Sequence, residues 1–244
     1  IKEHKRILSG TYESLGRVIG ELSQFHKYTP DTLSEIIDFK LDEESEALYH
    51  RVKSEKRGVV LATGHFGNWE ILVLAFAALH EPISYLARPL DNPKIEAALS
   101  ELRMRFGNMP INKTNSAMTA VSVLKTTFGL GILADVNAHP REGVFVPFFG
   151  KLACTPAGAA TIAIRANAYI YPVACVWDRQ NSRYKFIHGK LLETAKTGDR
   201  KRDIVETTAA FTAELESLIR QYPEQWMWTH KRWKTRPPGE EPIY

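Results

Sequence analysis

From Gly58 to about Val176 the chain alternates short apolar runs with stretches of helical periodicity, and this alternation limits the fold more than any other feature. Val59-Val60-Leu61-Ala62-Thr63, Pro82 to Ala87, Met109 to Ile111, Gly129 to Ala134 and Tyr169 to Val176 have the length and apolar content of buried strands. Between them lie helix-length stretches at about 70–79, 92–106, 116–127 and 156–166. Strands separated by helices are the sequence form of a parallel sheet covered on both faces. Gly143 to Gly150 is predicted as an extended apolar segment, and Tyr184 to His188 as a more exposed antiparallel edge strand. A last helix is predicted over about 201–220. The expected fold class is therefore α/β, with a mostly parallel central sheet flanked by helices. Ahead of it, Ile7, Leu8, Leu15, Val18 and Leu22 recur at helical spacing, Thr29-Pro30-Asp31 signals a helix start, and acids at 42–46 open a third helix. Residues 1–57 are thus expected as a helical N-terminal segment packed on one α/β unit, 58–244.

The first strand of that unit runs into Gly64-His65-Phe66-Gly67-Asn68-Trp69-Glu70 and then into the apolar stretch Ile71 to Leu79. A histidine at the C-terminal end of a strand, beside a glycine turn, stands where open α/β sheets gather ligands. The spacing is expected to let Glu70 approach one imidazole nitrogen of His65 and leave the other facing a cleft. That pair is an oriented general base without a protein nucleophile beside it, so the attacking group would be a hydroxyl of the substrate. The competing role for His65 is a core histidine satisfied by a backbone carbonyl; the glycines on either side favour close substrate approach. No H-E-x-x-H, G-x-S-x-G, P-loop or G-x-G-x-x-G occurs.

Other candidates fall after the later strands. Arg88 follows the second strand and suits a phosphate or carboxylate, unless Asp91 or Glu96 occupies it at a surface loop. Asp135 ends the fourth strand on the same expected edge, where capping the next turn is its rival role. Arg141, Glu142 and Gly143 precede the aromatic wall Pro147-Phe148-Phe149-Gly150 and could hold a polar head group beside an apolar slot, with Phe66 and Trp69 as further walls; the rival role for these aromatics is core packing, and a division between core and slot lining is expected. The tail, Trp226 to Lys234, mixes indoles with basic residues. Stacking on nucleic acid, seating at a membrane interface and simple packing as a C-terminal turn all fit it.

Composition adds limits. The 32 basic and 28 acidic residues give a net charge of +4, a mild bias toward anionic partners. Cys154 and Cys175 are the only cysteines and have no metal-ligand spacing, which points to a reducing compartment, and the general-base chemistry expected at His65 calls for no metal or cofactor. No stretch reaches the roughly 20 apolar residues of a membrane span.

Taken together, G-H-F-G-N-W-E at 64–70, Arg88-Pro89 with Asn92-Pro93, Asp135, the block from Arg141 to Gly150, and Gln225-Trp226-Met227-Trp228 with Arg232-Trp233-Lys234 resemble the lipid A biosynthesis acyltransferases. These late lauroyl- and myristoyl-transferring enzymes belong to the wider glycerophospholipid acyltransferase group with its H-x4-D/E pair. The resemblance spans nearly the whole chain and implies that His65 is the base and Glu70 its orienting partner. It further implies that Arg88 contacts a phosphate or head group, and that Asp135 and Arg141-Glu142-Gly143 belong to the substrate site. The implied reaction moves a fatty acyl chain from an acyl carrier protein thioester to a hydroxyl of a phosphorylated lipid A precursor, without an acyl-enzyme. A backbone N–H near Gly67, or Arg88, would stabilise the oxyanion. The family places Gln directly after the aspartate, whereas Val136 and Asn137 follow here. Family members also begin with an apolar anchor, so the natural protein is expected to extend before Ile1 and to sit on the cytoplasmic face of the bacterial inner membrane, with the membrane surface as a partner and no nucleic acid. The alternatives are acyl-CoA-dependent acylation of another glycolipid such as a phosphatidylinositol mannoside, a thioester hydrolase, and a non-catalytic membrane- or nucleic-acid-binding module.

Overall fold

The structure, a computed structural model, describes residues 2–112, 116–126 and 129–244. In chain order its elements are α1 (Lys2–Leu22), α2 (Pro30–Ile36), β1 (Ile37–Asp38), α3 (Glu43–Glu55), β2 (Val59–Thr63), α4 (Trp69–Leu79), β3 (Ser84–Ala87), α5 (Pro93–Met104), β4 (Met109–Asn112) and α6 (Ser116–Val123). There follow β5 (Gly129–Leu133), β6 (Gly143–Phe148), β7 (Lys151–Pro156), α7 (Gly158–Ala166), β8 (Tyr169–Asp178), β9 (Arg183–His188) and α8 (Arg200–Gln221). The helix starts follow local chemistry. Thr29 and Thr32 form a reciprocal capping box around Pro30, and Asp42, Asn68, Asn92 and Asp199 each accept first-turn N–H groups. Each such cap contributes about 1 kcal/mol. The far end of the expected 116–127 helix, at Thr127, lies outside the described residues.

Seven strands form one sheet in the order β1-β9-β8-β2-β5-β3-β4. All neighbouring pairs are parallel except β8 with β9. The mostly parallel α/β fold expected from the alternation is the fold observed. Strand β9 is antiparallel as expected, but it is not an edge: the two-residue β1, from the N-terminal segment, pairs with it through Ile37 and Asp38. The segment 143–150 is also more than one extended run. Its first six residues are β6, and the chain turns at Phe149 and Gly150, both at positive φ, to return as β7 in a separate hairpin.

Apolar side chains on one face of the sheet pack under α3 and α4, and those on the other under α6, α7 and α8. A third cluster joins the β6–β7 hairpin, the end of α8 and the aromatic tail. Among the described residues no helix is long and apolar enough to cross a membrane. Strand β2 is central, flanked by β8 on one side and β5 on the other, and the chain leaves it toward β3 and later returns to its other side as β8. That reversal opens a crevice beyond the carboxyl ends of the strands, and His65 lies two residues past the end of β2.

Candidate active site

Glu70 was the carboxylate expected to orient His65, but the contact is made by Asp135, which was expected as a turn cap or a substrate-site residue. The Nδ1–H of His65 donates to Oδ1 of Asp135 at 2.9 Å, and its backbone N–H donates to Oδ2 at 2.7 Å. The indole N–H of Trp226 reaches the same Oδ2 at 2.9 Å. Asp135 follows directly on Ala134, whose N–H extends the β2–β5 ladder by donating to Thr63. The carboxylate therefore emerges alongside the turn that carries His65. Its closeness also needs Gly64, because a Cβ there would stand 2.7 Å from Asp135 Oδ2. The next glycine, Gly67, is at φ +61°, and a side chain on it would run into the backbone of Cys175.

Asp135 is 5 % exposed. Burial alone would push its carboxyl up, but its three donors and the neighbouring imidazole hold it below the usual carboxylate range. For His65 burial pulls the imidazole down, while the hydrogen bond and charge of Asp135, helped by the charge of Glu70, raise it above its ordinary value. An ionised carboxylate can only accept, so the contact places the proton on Nδ1 and leaves the Nε2 lone pair as the basic site.

The expected His65–Glu70 hydrogen bond is not made. Glu70 is the second residue of α4 and turns to α5, where Arg103 grips it through Nε at 2.7 Å and through a second, very short contact from Nη2. The indole of Trp69 adds a third donor at 3.2 Å. Glu70 is 8 % exposed, and a buried carboxylate in direct contact with a guanidinium gains more from that charge-assisted pair than from a neutral imidazole. Arg103 was not legible in the sequence: it sits 33 residues along on a different helix, amid ordinary surface-helix residues.

His65, Trp69, Glu70, Tyr85 and Arg103 line a cleft of about 410 Å³ whose remaining walls are largely apolar. No serine or cysteine is among its described lining residues. Thr63, Val73 and Gly131 are shared with a second, apolar chamber of about 50 Å³ under α3, enclosed by Leu48, Tyr49, Val52, Phe76 and Phe186 among others. Tyr85 of β3 registers opposite Gly131 of β5, which registers opposite Leu61 of β2. Gly131 borders both spaces, and a Cβ there would lie 3.5 Å from Tyr85 Cβ and 3.6 Å from Ile83 Cδ1, so a larger side chain would fill the space between them.

Arg88 lines the mouth of this cleft, but its guanidinium is exposed and paired with Asp91 at 2.8 Å. Arg141, Glu142 and Gly143 are not among the lining residues. Arg141 is exposed, Glu142 uses its backbone to tie the hairpin to Ala157, and Gly143 opens β6 packed against Ala138 and Cys154. The expected slot walls also move: Trp69 lines the cleft, whereas Phe66 and Phe148 are buried in the aromatic cluster around Trp226. The oxyanion donor expected near Gly67 is spent, since Gly67 N–H donates to Gln225 and Asn68 N–H to Cys175.

The basic aromatic tail is folded in. Trp226 and Arg232 are fully buried, and Arg232 stacks over Phe148 and donates to the Cys154 carbonyl. Asn137, where the family pattern departs, latches this tail. Its N–H donates to His230, and its side-chain amide exchanges hydrogen bonds with Thr235.

Residues 1–235 match the family described as Bacterial lipid A biosynthesis acyltransferase. The chain is 30% identical over 195 residues to the lipid A biosynthesis lauroyltransferase of Escherichia coli K12, covering 79% of this chain and 61% of that protein. It is 25% identical to the palmitoleoyltransferase of the same organism over 244 residues, 100% of this chain and 76% of the relative. Against the phosphatidylinositol mannoside acyltransferase of Mycolicibacterium smegmatis it is 26% identical over 181 residues, 72% of this chain and 57% of that protein. The match runs through the His65 turn, the Asp135 strand end and the tail that braces them, and the chain belongs to the bacterial lipid A biosynthesis acyltransferase family.

Proposed function

We propose that the protein transfers a fatty acyl group from a thioester to a hydroxyl of a lipid A precursor, with His65 as general base and Asp135 as its orienting partner. The observation that carries this is an imidazole fixed by a buried carboxylate, opening onto an apolar cleft whose described walls offer no serine or cysteine. Nε2 of His65 takes the proton of the acceptor hydroxyl as its oxygen attacks the thioester carbonyl. The tetrahedral intermediate collapses with cleavage of the C–S bond, and the leaving thiolate recovers the proton from the imidazolium. A base of this kind contributes on the order of 10²–10⁴-fold. Asp135 stabilises the imidazolium, while Arg103 neutralises Glu70 so that a second carboxylate does not add its full charge to the site.

The acyl chain is assigned to the cleft and, past Thr63, Val73 and Gly131, to the chamber under α3. Arg88, at the mouth and held only by an exposed partner, is assigned to a head-group phosphate. The donor is read as acyl carrier protein thioester and the location as the cytoplasmic face of the inner membrane, as the family resemblance implies, and the lauroyl- and palmitoleoyltransferase names of two relatives support a fatty acyl chain as the group moved. Similarity to the mannoside acyltransferase keeps another glycolipid acceptor as the second reading. Nucleic-acid binding is not favoured, since the tail that suggested it is committed to the core. Mass spectrometry of a lipid A precursor incubated with mixed acyl carrier protein thioesters tests the reading. The precursor is expected to gain one acyl mass; free fatty acid alone would mark a hydrolase instead.

A further inference from the structure

The basic aromatic tail had no assigned task in the sequence reading. Its position supplies one. Residues 225–227 run along the His65 turn as an added strand would: Gly67 N–H donates to Gln225, Met227 N–H donates to the carbonyl of His65, and Phe66 bridges Trp226 in antiparallel fashion. From this strap the Trp226 indole reaches the buried carboxylate. The ring is 1 % exposed, with Phe148, Trp228 and Phe149 packed against it at centroid distances of 5.5, 4.6 and 6.1 Å, so it is held in one orientation.

We propose that Trp226 is a positioning residue for acyl transfer: its indole N–H fixes Oδ2 of Asp135 and so presents Oδ1 to Nδ1 of His65. The proposal rests on His65 being the base. Two donors on Oδ2, one from the His65 backbone and one from the indole, define the plane of the carboxylate. The indole also draws off part of the carboxylate's charge and leaves less of it to stabilise the imidazolium. Other groups set the background field at this site. Glu70 from α4, itself paired with Arg103 from α5, lies within reach of His65, and His230 and Arg232 from the tail face Asp135. None of them replaces the indole as a donor to Oδ2.

Removing only the N–H has a direction. Without it Asp135 bears more charge toward His65, the imidazolium is favoured, and the neutral base appears at higher pH. The test is the pH dependence of acyl transfer for Trp226→Phe and for Trp226→benzothienylalanine, which keeps the ring volume and lacks the donor, so it serves if the phenylalanine variant does not fold. Trp228→Phe is the packing control, because its indole donates to the Pro223 carbonyl and not to Asp135. The rising limb is expected to move to higher pH by about 0.5 in both Trp226 variants, with kcat falling more than KM rises, and to stay in place in Trp228→Phe. A limb that does not move upward in the folded benzothienylalanine variant overturns the proposal. His65→Ala run alongside separates the two claims: if it is inactive while the limb stays put, only the role of Trp226 falls.

Discussion

The two ring nitrogens of His65 have different surroundings, and in the proposed reaction the carboxylate that serves Nδ1 sets how the base works. Asp135 does, through a 2.9 Å contact in a buried setting, while Glu70 is occupied by Arg103. The two acids should therefore fail differently. Asp135→Asn offers Nδ1 either a weaker acceptor or a competing donor, and acyl transfer is expected to fall on the order of 10³-fold with the fold intact. Glu70→Ala leaves the Arg103 guanidinium buried without its partner, and urea unfolding is expected to show a loss of about 3–5 kcal/mol. Glu70→Ala combined with Arg103→Met should regain most of that stability. Equal stability of the single and double variants would mean that the pair is not a buried unit. His65 and Asp135 were legible in the sequence because both end apolar strands, so the pattern itself places them at one edge. Glu70 was misread because five residues of separation allow an approach to His65 but say nothing of a competing cation, and Arg103 reaches it only through the packing of α5 on α4.

At the level of elements, the strands of the central sheet were readable from runs of Val, Ile and Leu, and the exceptions have physical causes. Outside that sheet, strand β7 of the hairpin, Lys151–Pro156, lacks alternation and has Thr155 as its one β-branched residue; within the sheet, β1 is two residues long and is defined by its pairing with β9. The slot was misplaced for a related reason. Aromatic side chains announce themselves in sequence, and Phe148 and Phe149 looked like walls, but they pack on Trp226 and Trp233. The cleft is instead shaped by what is missing, a side chain at Gly131 in the middle of β5. Gly131→Leu would fill the passage between Thr63, Val73 and Tyr85. In competition among thioesters of different length, its products are expected to shift to shorter chains by several-fold. An unchanged length distribution from a folded Gly131→Leu protein would place the acyl chain elsewhere.

Over the whole molecule, segments distant in sequence meet at one point. The end of β2 brings His65, the end of β5 brings Asp135, α5 brings Arg103 to Glu70, and the C-terminal strap closes over the turn through Gln225, Trp226 and Met227. Asn137 and Thr235 join the Asp135 loop to the tail beyond that strap, so the asparagine two residues past the aspartate is committed to the tail and not to the cleft lining. The N-terminal segment contributes as well, since Thr11 of α1 donates to the Trp226 carbonyl from beneath. The measurement that bears most directly on this arrangement is the pH dependence of single-turnover acyl transfer for the wild-type protein and His65→Ala. Wild-type activity is expected to rise with pH through one ionisation lying above the ordinary histidine value of about 6.5, and His65→Ala, shown folded by circular dichroism, to lose about 10³-fold or more at every pH. A folded His65→Ala protein within tenfold of wild type, with the same pH profile, would contradict the assignment of His65 as the base.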